Sequence, residues 1–137
     1  AYLSRRDAED ARRLADETLA VLRHPELADL FGPHSRAEQP ITGLVGRSVI
    51  TGKVDRLAVL PNRVLLADYK TGRDAPADVA ATPVLYLRQL ASYRAVLQAI
   101  YPDRPVNCLL VWTHGPAVVA LPSALLDAHA PGEWGAA

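Results

Sequence analysis

The sequence holds a single cysteine, Cys108, and no methionine. One cysteine excludes a disulfide framework, an iron–sulfur cluster and a zinc site built from four thiolates. No apolar run approaches the roughly 18 residues of a membrane-spanning helix, and the first 20 residues lack the apolar core of a secretory signal. We therefore expect a cytoplasmic protein. The missing methionine leads us to expect a piece of a longer chain.

The sequence also has no excess charge of either sign, since 15 Lys and Arg residues balance 15 Asp and Glu residues. This balance excludes a generally basic protein that coats nucleic acid. The average hides a local difference: residues 36–73 hold seven basic and three acidic residues, a net charge of +4. Only this middle part of the domain is expected to present a positive surface.

The 137 residues are half hydrophobic and suit one domain with its own core. Helical periodicity predicts helices over residues 4–23, 83–101 and 122–129, and the first should pack through an apolar stripe of Ala8, Ala11, Ala15, Leu19 and Leu22. Strand-like runs cover residues 37–42, 44–50, 52–60, 63–69, 106–112 and 117–121. This order predicts an α/β (α+β) fold with a central mixed β-sheet flanked by helices. We expect a helical lead-in over 4–35, a core over 36–121, and a C-terminal helix and tail over 122–137.

Two acidic residues interrupt strands that are otherwise hydrophobic. Asp68 and Lys70 are two residues apart on one strand, so their side chains share a face about 6.5 Å apart. The tight turn at Pro61 and Asn62 sets the register of the two strands that it joins, and this register places Asp55 opposite Asp68. Two carboxylates and one ammonium group are therefore predicted to converge on one patch of the sheet.

Facing carboxylates repel each other, and a divalent cation is the usual remedy. Oxygen ligands suit Mg²⁺, a bound metal lowers the pKa of an attacking water, and a lysine stabilises charge that develops on a phosphorane. An isolated Asp-x-Lys is common by chance and an isolated Val-Asp-Arg is more often an edge-strand ion pair. Their facing register favours metal-assisted hydrolysis of a phosphodiester.

At these residues the sequence resembles the PD-(D/E)XK nuclease superfamily. Asp55 corresponds to the first acid, and residues 68–70 correspond to the (D/E)-x-K element. Gln89 and Tyr93, spaced i and i+4 on the following helix, resemble the RecB-type branch. The combined run is similar to the C-terminal nuclease domains of the AddA family, through GKVDRL at 52–57, DYKTGR at 68–73, YLRQLASY at 86–93, Tyr101-Pro102 and LVWT at 110–113.

The resemblance implies a restriction-endonuclease-like core and a set of site residues. It implies catalytic roles for Asp55, Asp68, Lys70, Gln89 and Tyr93, with the metal held by Asp55, Asp68 and the backbone carbonyl of Tyr69. Glu38 is a supporting acid, with a solvated strand-edge carboxylate as the alternative. Arg56, Thr71 and Arg73 flank the acids and are candidates for contacting DNA, although surface arginines commonly form ion pairs instead.

One element of the family is missing from the sequence. Relatives carry a histidine on a helix before the first acid, and none of the four histidines here has a matching context. We therefore expect an N-terminally truncated core whose metal site is short of one ligand. The single cysteine also excludes the relatives that carry an iron–sulfur cluster, and residues 46–54 do not match a phosphate-binding loop, so any ATP is expected to act only in the motor of a parent chain.

The resemblance implies a Mg²⁺-dependent DNA exonuclease domain of an ATP-dependent helicase–nuclease that acts in double-strand-break repair and recombination. Mn²⁺ is an alternative metal and Ca²⁺ an expected inhibitor. The implied partners are a single DNA strand delivered by the helicase and an AddB-type subunit, in the bacterial cytoplasm at the nucleoid. Two alternatives stay open: a nuclease-like docking domain that does not cleave, and a stand-alone phage-type exonuclease.

Overall fold

The computed structural model describes residues 5–23 and 25–131. In chain order the helices are α1 (Arg5–Leu22), α2 (Pro25–Leu30), α3 (Val84–Ile100) and α4 (Ser123–Asp127), with a short 3₁₀ turn at Val79–Ala81. The strands are β1 (Ser35–Val45), β2 (Ser48–Val59), β3 (Val64–Lys70), β4 (Val106–Trp112) and β5 (Ala117–Ala120). None of the helices described is long and apolar enough to cross a membrane.

The five strands form one mixed sheet in the order β1-β2-β3-β4-β5. Neighbouring strands are antiparallel except β3 and β4, which are parallel. Parallel neighbours need a crossover, and α3 supplies it. This arrangement confirms the predicted central mixed sheet flanked by helices.

β3 lies at the centre of the sheet and is covered on both faces. Val64, Leu65, Leu66 and Ala67 are fully buried, which is typical of a continuous apolar run in a central strand. Val64 and Leu66 belong to a core under α3, whereas Leu65 and Ala67 belong to a smaller core under α2. The residue that follows this run, Asp68, is therefore delivered to the end of a fully buried strand.

The sequence prediction was wrong about the breaks in the first hairpin. β1 runs through Gly43 and β2 runs through Gly52, and the turn lies between the two strands, where Gly46 has a φ of 59°. Gly43 and Gly52 instead provide space below α3, because a Cβ atom at either position would lie under 3.0 Å from a side chain of that helix. The predicted breaks at residues 43 and 51 arose because glycine also occurs where strands end.

The predicted packing stripe of α1 was also wrong over the side chains described. Ala8, Ala11 and Ala15 are exposed, and Leu19 is 47% exposed. A stripe made mainly of alanine offers little apolar area to bury. The start of this helix at residue 4 and the tail at 132–137 lie outside the described residues, and α4 is shorter than the predicted 122–129.

Candidate active site

The centre of the candidate site is an ion pair at the end of β3. The Lys70 ammonium touches Asp68 Oδ2, and both side chains are largely buried. This ammonium is the charged partner of a carboxyl oxygen that is buried in the protein. A buried carboxylate needs a charged or hydrogen-bonding partner, and Lys70 supplies one here.

Asp55 approaches this pair from β2 in the predicted register. Arg56 pairs with Ala67, so the next position of the same register sets Asp55 opposite Asp68. The backbone N–H of Tyr69 donates a 2.8 Å hydrogen bond to Asp55 Oδ2. This bond fixes the Asp55 carboxylate against the end of β3, beside Asp68.

The two carboxyl groups affect each other's chemistry. Asp68 is 7% exposed, and this burial, reinforced by the neighbouring Asp55 carboxyl, raises its pKa from 3.8 to about 6, although Lys70 acts in the opposite direction. A carboxyl that is hard to ionise beside a second carboxyl is the situation that a cation relieves.

At Asp55 the regular alternation of side chains between the two faces of the sheet is interrupted. Val54 and Leu57 both point into the core under α3, although residues three apart on a regular strand point to opposite faces. Between them, Arg56 contacts α2 on the other side of the sheet. The register also sets Glu38 opposite Asp55, because Ala37 pairs with Arg56 and Gln39 with Val54.

Glu38 itself has a φ of 48°, a left-handed conformation that non-glycine residues rarely adopt. The irregularity therefore involves both strands at the level of the two acids. Such strain is concentrated at functional sites. Its side chain is exposed, and it remains a supporting acid by prediction.

α3 brings two further predicted residues to Lys70. Lys70 Nζ donates to Gln89 Oε1 at 3.2 Å, and Gln89 Nε2 donates to Tyr93 Oη at 3.4 Å. The i, i+4 spacing aligns Gln89 and Tyr93 on the helix face that covers the sheet. The structure thus brings Asp55, Asp68, Lys70, Gln89 and Tyr93 into one contiguous group.

The predicted DNA-contacting residues are not grouped in this way. Arg56 donates from Nε to Leu30 O at 3.1 Å and from Nη2 to Ser35 Oγ at 2.7 Å, and its guanidinium lies over the Phe31 ring. Those contacts occupy it on the α2 side of the sheet. Thr71 and Arg73 are exposed in the loop after β3, next to the ion pair. Tyr69 is 36% exposed, and as the strand neighbour of Lys70 it points to the opposite face of the sheet.

Sequence reasoning missed two neighbours of Lys70. Its ammonium lies 3.9 Å from the centre of the Tyr86 ring, a cation–π contact. Thr113 donates from its backbone N to Lys70 O at 2.9 Å, which ties the end of β3 to the turn after β4. Tyr86 precedes Gln89 by three residues on α3, and that spacing was the available signal.

A divalent cation fits this group through two carboxylates. Asp55 and Asp68 supply oxygen ligands, and the raised pKa of the buried Asp68 carboxyl beside Asp55 is the observation that supports the fit. Within residues 5–23 and 25–131, no three His, Cys, Asp or Glu side chains gather as a metal cluster. Mg²⁺ needs no such cluster, because it commonly binds through one or two carboxylates and keeps several waters.

A separate cleft of about 580 Å³ lies between the start of β1 and the C-terminal half of α3. Arg36, Ile41, Leu97, Ile100 and Tyr101 are among the residues that line it. None of the predicted site residues lines this cleft. The candidate site is therefore defined by its acids and its lysine, and it does not lie in this cleft.

The mixed sheet, its crossover helix and the Asp-x-Lys strand facing a second acid define a restriction-endonuclease-like α/β domain. The sequence model of the PD-(D/E)XK nuclease superfamily matches residues 2–126. This match spans most of the chain, and the chain belongs to that superfamily. Its members are nucleases.

Other comparisons add less. None of the curated proteins compared with the chain matches it. Among the solved structures that match is the crystal structure of SSO0001, with 14% identity and a TM-score of 0.43. The alignment covers 86% of this chain but only 54% of that one, so this chain spans about half of its length. A likeness at this level carries no argument about function.

Proposed function

We propose that this domain hydrolyses phosphodiester bonds of DNA with the help of Mg²⁺. The observation that carries the proposal is the meeting of Asp55, Asp68 and Lys70 at the buried end of β3. Asp55 and Asp68 would hold the cation, which supplies a more acidic water and neutralises charge on the phosphate when it is bound.

The other steps belong to the chain's own residues. Lys70 is placed to donate to an oxygen that gains negative charge while water adds to phosphorus and the bond to the leaving oxygen breaks. Its ammonium group has three N–H hydrogen-bond donors. The contacts with Gln89 and Tyr86 limit the directions in which this group can point. Asp68 contacts that ammonium directly, so the cation site and the proton donor share one carboxylate.

We further propose that the domain serves an AddA-type helicase–nuclease with an AddB-type partner. The run of similar segments from Gly52 to Thr113 supports this assignment. The charge distribution also supports it. Residues 36–73 have a net charge of +4 even though they contain all three predicted acids. A cation on those acids would leave this region positive toward a DNA strand. A domain that is neutral overall suits a substrate that a motor delivers.

The test is cleavage of linear single-stranded DNA with Mg²⁺, comparing the wild type with Asp68→Ala and Lys70→Ala. Both variants should lose activity by about 100-fold or more. Asp103→Ala is the matched control, because Asp103 is exposed and pairs with Arg104, whose guanidinium binds Leu60 O before the start of β3. Cleavage that survives both site substitutions would disprove the proposal.

A docking domain that does not cleave is the second candidate. The observation in its favour is that no three-ligand cluster occurs among the residues described. Titration calorimetry with Mg²⁺ and Mn²⁺ separates the two candidates. Heat of binding that disappears in Asp55→Ala and Asp68→Ala supports the nuclease, and absence of any binding supports docking.

A further inference from the structure

A chain of polar contacts links Lys70 to the opposite hairpin. Lys70 donates to Gln89 Oε1 at 3.2 Å, and Gln89 donates to Tyr93 Oη at 3.4 Å. An ammonium group only donates hydrogen bonds, so it fixes which end of the Gln89 amide faces it. The NH₂ end then faces Tyr93, whose hydroxyl accepts. The direction of Lys70 therefore depends on where the Tyr93 hydroxyl lies.

The position of that hydroxyl depends in turn on Gly52 of β2. A Cβ atom at residue 52 would lie 2.5 Å from Tyr93 Oη, 2.7 Å from Cε1 and 2.9 Å from Cζ. Separations under 3.0 Å force one side to move. Tyr93 is only 9% exposed and its ring packs in the core, so the ring cannot swing into solvent to relieve the clash.

We propose that Gly52 is a positioning residue for Lys70. Its missing side chain lets the Tyr93 hydroxyl rest against β2, Tyr93 orients the Gln89 amide, and Gln89 holds the lysine toward Asp68. Gln89 and Tyr93 are then positioning residues as well, since they act through Lys70. The inference rests on the proposed nuclease function for its effect on rate, but the contact itself can be measured without activity.

The competing explanation is that Gly52 only allows α3 to pack on the sheet. Gly43 provides the matched control for this alternative. It lies under the same helix, and a Cβ there would lie 2.9 Å from Val96 Cγ1 and 3.3 Å from Cγ2. Val96 is apolar and has no polar link to Lys70. Gly43→Ala therefore applies a similar steric load without disturbing the chain of contacts.

The chain has only two lysines, Lys53 and Lys70, which allows a direct structural readout. In lysine-labelled protein, NMR should show the Lys70 side-chain signal shifted by the Tyr86 ring. We expect Gly52→Ala to move that signal. Tyr93→Phe, which removes only the hydroxyl, should move it too, and it remains informative if Gly52→Ala fails to fold. Gly43→Ala should not move the Lys70 signal.

The kinetic readout uses the same variants on single-stranded DNA. Gly52→Ala should lower kcat about tenfold or more with KM little changed, whereas Gly43→Ala should keep kcat within about twofold after correction for the folded fraction. In a Tyr93→Phe background, Gly52→Ala should cost much less, because both act through one hydroxyl.

An unmoved Lys70 signal in Gly52→Ala and Tyr93→Phe overturns the inference, and so does full additivity of their effects on kcat. An inactive wild type whose Lys70 signal responds as expected would instead disprove the proposed function and support the contact chain.

Discussion

Burial of Asp68 should make the metal-free protein less stable as the pH rises. The pKa of Asp68 is raised from 3.8 to about 6 in the folded state, so the folded protein holds this proton more tightly than the unfolded chain does. Its contribution is fully present below about pH 4 and is lost as the pH rises to about 6 and above. A difference of about 2 pH units corresponds to about 3 kcal/mol of unfolding free energy.

The assay is chemical denaturation of the wild type and Asp68→Asn between pH 4 and pH 8 without divalent cations. Asparagine has nearly the same shape and cannot ionise, so subtracting its unfolding free energy removes the other titrating groups. We expect the wild type to lose about 2 kcal/mol relative to the variant across this range, because part of the full effect is already lost at pH 4. Mg²⁺ should reduce the loss, because a cation on the carboxylates favours their ionised forms.

Asp103→Asn is a control for which the expected pH dependence of stability has the opposite sign. A hydrogen bond from Arg104 lowers the pKa of Asp103, so any contribution of that group is lost as the pH falls. The reasoning about Asp68 would be refuted if the difference in unfolding free energy between the wild type and Asp68→Asn did not change with pH. It would also be refuted if the wild type gained stability relative to the variant as the pH rises.

Three further predictions each follow from one local feature of the structure. Glu38→Asn should raise the unfolding free energy by about 1 kcal/mol in urea denaturation, because asparagine tolerates the left-handed φ of 48° better; a loss would contradict the strain. Asp127→Ala should destabilise the protein by about 2 kcal/mol and more than Arg94→Met does, because it leaves the buried Arg94 charge unpaired; equal costs in thermal unfolding would count against this. Arg56→Lys should cost about 1 kcal/mol, since lysine cannot reproduce the contacts to Leu30 and Ser35; unchanged stability beside weakened DNA binding would instead favour the predicted DNA contact.

The register of the two acid-bearing strands could be predicted because its determinants are local. A tight turn at Pro61 and Asn62 leaves few ways to pair the flanking strands, and a one-residue slip would move every side chain to the wrong face. The residues before Asp68 form a continuous apolar run, a pattern typical of a strand covered on both faces, and they are buried. Their combination predicted the opposed carboxylates without any knowledge of the rest of the fold.

What could not be predicted depends on contacts that are distant in sequence. Whether Gly52 marks the end of a strand or leaves room for a tyrosine depends on Tyr93, 41 residues further on, and no local pattern distinguishes the two. Arg56 follows Asp55 directly, yet its guanidinium is held by residues of α2 and β1 on the other face. At Asp55 the alternation of side chains between the two faces shifts by one residue, and we call this shift the phase change. The sequence did not reveal it, because β1 shifts at Glu38 in the same way and the pairing register of the two strands stays constant.

That phase change means that Glu38 and Asp55 behave as a matched pair of inserted residues. If both were removed, Ala37 would be followed by Gln39 and Val54 by Arg56, and every remaining side chain of the hairpin would keep its present face in a regular two-residue alternation. The hairpin is thus geometrically complete without its two acids. A chain lacking both positions should still form this ribbon while losing the cation ligand that is proposed at Asp55.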